Sequence, residues 1–130
     1  MTASRSLSRT QWALQGIIAA VLLASAAANL SGAMVEQITR LGYPAYLCQI
    51  LGAAYLIAII CLYQPRYRFL QEWAFAGVAV SFVGAAGSHL FAGDPITRAI
   101  PAIGLLLILI AAYALRRHIE SHTLPLATIP

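Results

Sequence analysis

The chain has 130 residues, 61% of them hydrophobic and 9% charged, with a mean hydropathy of +0.80. A water-soluble domain carries about 45–50% apolar and about 25% charged residues, so this chain lacks the polar surface that would keep it in water, and a bilayer is its expected solvent. The formal charge of +4 comes from eight arginines and no lysine, placed between apolar runs rather than on one basic face; this argues against nucleic-acid partners and for contacts with membrane lipids.

Four apolar runs, at 12–34, 43–63, 73–91 and 96–115, each approach the ~20 residues that cross a ~30 Å hydrocarbon core. The expected fold is a single all-α membrane domain over 1–130, a bundle of four transmembrane helices with short tails. The first run follows Arg5 and Arg9 and contains Ala24-Ser25-Ala26, which resembles a secretory cleavage site. Because the run continues past that point, it reads as an uncleaved span. Gly16, Ala20, Ala24, Ala27 and Ser31 form a small-residue stripe on it, expected to face a neighbouring helix.

Gly32, Gly42 and Pro44 punctuate the passage to the second run, which ends at Gln64-Pro65. That run holds both cysteines, Cys48 and Cys61, thirteen positions apart on one helix. The ~20 Å this spacing implies is too far for a mutual disulfide. The third run carries a second small-residue stripe, Gly77, Ser81, Gly84 and Ser88. Asp94-Pro95 before the fourth run reads as an N-cap followed by a proline at the first helical position. Pro101 falls inside that run and is expected to kink it or free a backbone carbonyl.

Arg5, Arg9, Arg66, Arg68, Arg116 and Arg117 fall on one side of these spans, and only Arg40 and Arg98 on the other. The positive-inside rule then puts both termini in the cytoplasm. Tyr43, Tyr46, Tyr63, Tyr67 and Trp73 fall where an interfacial aromatic belt is expected.

Polar groups near a bilayer cost free energy unless paired, so their placement is the main functional signal. Asn29, Glu36, Arg40, Tyr46, Gln49, Ser88, His89, Asp94 and Arg98 all fall toward the outer side. On one reading Asn29, Tyr46, Gln49, Ser88 and His89 converge with Glu36 or Asp94 on a pocket for an apolar ligand with a polar head. A quinone fits, since its carbonyls need donors and its ring apolar walls. His89 would be the acid/base group, because an imidazole exchanges protons near neutral pH. On the other reading His89 bonds a nearby carbonyl, and Glu36, Arg40, Asp94 and Arg98 are interfacial charges pairing across loops.

Glu72 is placed at the start of the third span, where a carboxylate favours the helix dipole and can pair with Arg66 or Arg68; a proton relay is the alternative. His118 and His122, spaced i, i+4 in the tail, would suit a metal only if the tail were helical and a third ligand arrived. No metal motif or phosphate loop is present, and haem would have only His89 and Met34 as ligands, so no cofactor beyond a quinone is expected.

Leu41-Gly42-Tyr43-Pro44, Gly52, Pro65, Glu72-Trp73-Ala74-Phe75-Ala76-Gly77, Ser88-His89, Gly93-Asp94-Pro95 and Pro101 together resemble the DoxX-like family of small bacterial membrane proteins. The resemblance implies a four-helix membrane fold. It also implies an association with thiosulfate:quinone oxidoreductase and terminal oxidase chemistry and with quinone or thiol redox stress. Two positions that resemblance leads one to expect as lysine hold Val35 and Tyr55. The expected function is therefore an accessory or structural subunit of a membrane redox assembly, homo-oligomeric or within a larger complex and contacting quinone. The alternative is a small membrane enzyme acting on a quinone-like substrate, with His89 as acid/base and Glu36, Glu72 or Asp94 assisting.

Overall fold

The computed structural model describes residues 2–123. Its elements are helices α1 (Thr2–Leu30), α2 (Val35–Arg40), α3 (Leu47–Tyr63), α4 (Arg68–Phe91) and α5 (Ile100–Thr123), with a 3-10 turn at Ile96–Arg98. Three of them, α1, α4 and α5, are long and apolar enough to cross a membrane. α3 is equally apolar but has 17 residues.

Three helix ends lie further out than hydropathy suggested, while α1 already stops at Leu30 rather than 34 and α5 starts at Ile100 rather than 96. α1 starts at Thr2 rather than near Trp12, α4 at Arg68 rather than Trp73, and α5 runs to Thr123. In α4 and α5 polar residues of these added turns find partners on each other, Arg68 with Glu120 and Gln71 with Arg116, so the backbone stays helical beyond the apolar stretch. α3 begins instead at Leu47, because 44–46 form a turn in which the Leu47 N–H donates to the Pro44 carbonyl at 3.0 Å.

Gly32, Gly42 and Gly93 have φ values of 84°, 91° and 78°, a region closed to most side chains, and each reverses the chain beyond a helix. Between the first two lies α2, a six-residue helix hydropathy did not reveal.

α1 packs on α3 and α5, and α4 completes the ring by packing on the same two helices. Gln15 against Leu62, with the Trp12 and Tyr63 rings 6.1 Å apart, sets the start of α1 beside the end of α3. Arg68 to Glu120 and Gln71 to Arg116 set the start of α4 beside the end of α5. The six arginines therefore gather at one end of the bundle. The core between the helices is built from Ile18, Leu22, Leu62, Phe75, Val78, Phe82, Leu109 and Ala112.

Four local expectations are corrected. The α1 stripe does not face a helix: Ala20, Ala24, Ala27 and Ser31 are exposed, while Gln11, Gln15, Ile18, Leu22, Ala26 and Asn29 form the buried seam. Large side chains gain more contact than small ones, and Ile18 and Leu22 set the rotation of α1. Close helix approach occurs instead at Gly52, where a Cβ would lie 2.6 Å from the Leu30 Cγ.

In the Gly77–Ser88 stripe the glycines border a void, and only the Ser81 and Ser88 hydroxyls reach across it, to Tyr55 and Tyr43. Asp94 caps nothing; Pro95 occupies the cap position without a side-chain hydrogen bond, because the Asp94 carboxylate is taken by Arg40 and His89. Pro101 is the second residue of α5, where its missing N–H is one of the four no helix satisfies internally, so it leaves the helix intact.

Candidate functional site

Between α3 and α4 a cavity of about 770 Å³ runs from the α2 loop to the level of Leu70 and Trp73. Its volume is within the roughly 300–1,000 Å³ typical of small-molecule sites. The walls are mostly aliphatic: Leu47, Leu51, Ala54 and Ala58 from α3, and Val78, Val80 and Ala85 from α4. Gly77, Ser81, Gly84 and Ser88 line its α4 side, and a Cβ on Gly77 or Gly84 would meet no atom within 4 Å. The small-residue stripe therefore makes the space.

Polar groups occupy two levels of this groove. At mid-depth the Tyr55 hydroxyl lies 2.8 Å from the Ser81 Oγ. At the end roofed by Met34, Ile38 and Leu41, the Tyr43 hydroxyl is 2.7 Å from the Ser88 Oγ, and His89 completes the lining. The His89 Nδ1 lies 2.7 Å from the Asp94 Oδ2. Arg40 donates from Nη1 and Nη2 to the two Asp94 oxygens, both at 3.0 Å. These donors, Arg40 first and His89 second, hold the Asp94 carboxyl well below the usual carboxylate range, and Asp94 in turn raises the Arg40 pKa.

A family model described as the DoxX-like family matches residues 13–112. The chain belongs to the DoxX-like family. No curated protein and no solved structure matches it.

In this DoxX-like protein the residues read from sequence as one site are divided. Ser88 and His89 line the groove; Asn29, Tyr46 and Gln49 do not. Asn29 is buried on α1, its Nδ2 donating to the Ser25 carbonyl at 2.8 Å and its Oδ1 without a partner among the described residues. Tyr46 and Gln49 are exposed. Glu36 is exposed and enters no ion pair among the described residues, whereas Arg40 at the end of α2 pairs with Asp94 in the segment between α4 and α5. His89 bonds the Asp94 carboxylate rather than a carbonyl.

Glu72 departs from expectation too. With α4 starting at Arg68, it lies beyond the first turn, and its Oε2 accepts from the Tyr113 hydroxyl at 2.8 Å. Its other oxygen is 3.9 Å from Arg117 Nη1, while Arg68 pairs with Glu120. A smaller cavity of about 260 Å³ lies beside it, between α4 and α5. The tail carrying His118 and His122 is helical, with the two rings 4.5 Å apart, but no third His, Cys, Asp or Glu joins them among the described residues.

Several structural side chains escaped sequence reasoning. Gln15 Nε2 donates to the Leu62 carbonyl at 3.2 Å and Gln11 Nε2 to the Gln15 Oε1 at 2.7 Å, a buried ladder that satisfies a carbonyl at the end of α3. Gln71 serves the Gln64 carbonyl in the same way. Two glutamines four apart before an apolar run signal a shared helix face. Tyr55, at a position where the resemblance suggested lysine, could have been found only from that departure.

Proposed function

We propose that this DoxX-like protein is a four-span protein of the bacterial cytoplasmic membrane, its six-arginine end inside, that acts as an accessory subunit of a redox assembly and holds a quinone-like lipophile between α3 and α4. The observation that carries the reading is the groove: an apolar channel large enough for a ring and part of a tail, with hydroxyls and an imidazole at its outer end. The carboxylate that bonds His89, Asp94, is already bound by Arg40, so among the described residues lining the groove the head of an uncharged ligand meets no unpaired carboxylate. α3 has 17 residues, or ~25 Å of helix, and the turn at 44–46 extends it toward the ~30 Å core.

Native mass spectrometry of the protein released gently from its own membranes tests this. A complex with redox subunits carrying a quinone-sized molecule is expected; a lone chain without a lipophilic ligand contradicts it. The His89–Asp94 contact favours a second reading, a small enzyme with His89 as acid/base, since a carboxylate bound to one ring nitrogen orients the other. Unchanged turnover of a quinone-like substrate by His89→Ala excludes it.

A further inference from the structure

The groove's hydrogen bonds have directions, and those directions determine what its outer end offers a ligand. Ser88 Oγ donates its single proton to the Gly84 carbonyl at 2.7 Å. The 2.7 Å contact between Tyr43 Oη and Ser88 Oγ therefore uses the tyrosine's proton, and both hydroxyl oxygens are left with lone pairs only.

Arg40 has no acceptor and occupies both Asp94 oxygens, which fixes Asp94 as an ionised, acceptor-only group. The 2.7 Å contact with His89 is then an Nδ1–H donated to the carboxylate. In the neutral ring that tautomer leaves Nε2 with a lone pair, and Nε2 has no partner among the described residues. Tyr43, Ser88 and neutral His89 thus line this end of the groove as acceptors.

We propose that the groove is selective for a lipophile whose head carries hydroxyl donors, a hydroquinone in preference to its oxidised quinone. This rests on the groove reading above and specifies the form of ligand held. Gln37, which also lines this end, offers an amide donor and an amide acceptor and so serves either form. At Tyr43, Ser88 and His89 a quinone carbonyl would bring an acceptor against acceptors, whereas a hydroquinone hydroxyl donates to His89 Nε2 or to the Tyr43 and Ser88 oxygens. Asp94 acts as the positioning residue, holding the His89 tautomer, and Arg40 holds Asp94 in its acceptor state.

The test is equilibrium binding by calorimetry in detergent micelles, under argon and at mildly alkaline pH. The probes are decyl hydroquinone, its dimethyl ether, decyl benzoquinone and 1-decanol. The wild-type protein is expected to bind the hydroquinone about fivefold or more tighter than the ether and the quinone, the ratio one net hydrogen bond gives. In Asp94→Asn, Arg40 takes the amide oxygen and turns the amide NH₂ toward His89 Nδ1, so Nε2 becomes a donor and the preference moves to the quinone. Should that variant fail to fold, His89→Leu removes one of the three acceptors and is expected to narrow the preference for hydroquinone over the ether.

Equal binding of hydroquinone, ether and quinone by the wild type, or a hydroquinone preference undiminished in both variants, overturns the proposal and leaves the groove reading standing. Decanol bound as tightly as the hydroquinone overturns the quinol assignment. Failure of all four probes to bind overturns the groove reading itself.

Discussion

Two glycines on facing helices should respond oppositely to the same added methyl group. Gly→Ala within a helix gains about 1 kcal/mol from backbone propensity. At Gly84 nothing lies within 4 Å of the new Cβ, so Gly84→Ala is expected to stabilise by about 1 kcal/mol. At Gly52 the new Cβ would sit 2.6 Å from Leu30 Cγ, 2.8 Å from its Cδ2 and 3.3 Å from the Ala26 carbonyl oxygen. Leu30 is 49% exposed and can swing outward, but the α1 backbone must also give by a few tenths of an ångström.

Overpacking of this kind costs about 1–3 kcal/mol. Because the propensity gain is common to both variants, the difference between them isolates that steric cost, with Gly52→Ala the less stable by about 1–3 kcal/mol. Reversible unfolding in mixed micelles of increasing dodecyl sulfate content, followed by circular dichroism, measures it. Equal stabilisation by the two alanines would falsify the α1–α3 approach and the void beside α4 together.

Gln15→Ala should leave the buried Leu62 carbonyl unsatisfied and cost about 1–3 kcal/mol in the same assay, whereas exposed Gln49→Ala should be neutral. The loops joined by Arg40 and Asp94 should respond to acid with a definite sign. Since the folded-state pKa of Asp94 is depressed, its contribution is fully present above the ordinary carboxylate value near 4 and is lost as pH falls through the lower folded value. Amide protection factors across 31–46, taken relative to intrinsic exchange at each pH, should therefore hold through mildly acidic pH and fall only in strong acid, while Asp94→Ala should show lower protection already at neutral pH. No difference between wild type and Asp94→Ala would show that Arg40–Asp94 does not fasten the loops.

Membrane class, family and the approximate positions of the apolar helices were legible in the sequence because they depend on average hydropathy and on a few motif residues. Helix ends were not, because they depend on distant partners: Arg68 and Gln71 extend α4 through contacts with Glu120, Gln64 and Arg116 on other segments. Helix rotation was also hidden, since small-residue stripes can mark either a tight contact or an empty groove; only packing of Ile18, Leu22, Phe75 and Phe82 decides which. His89 and Asp94 stood out as polar residues near a helix end. Their pairing with each other and with Arg40, 54 residues before Asp94, required the α2 turn that Gly32 and Gly42 create.

The groove is tested most directly by photolabelling in native membranes with a diazirine-tailed alkyl hydroquinone, followed by mapping of the labelled residues by mass spectrometry. Label is expected on the facing walls, Leu51 to Ala58 of α3 and Gly77 to Ala85 of α4, and is expected to vanish when Gly77→Leu and Gly84→Leu fill the space between them. Label spread over the exposed faces of α1 and α5, or undiminished in the filled variant, would contradict the account.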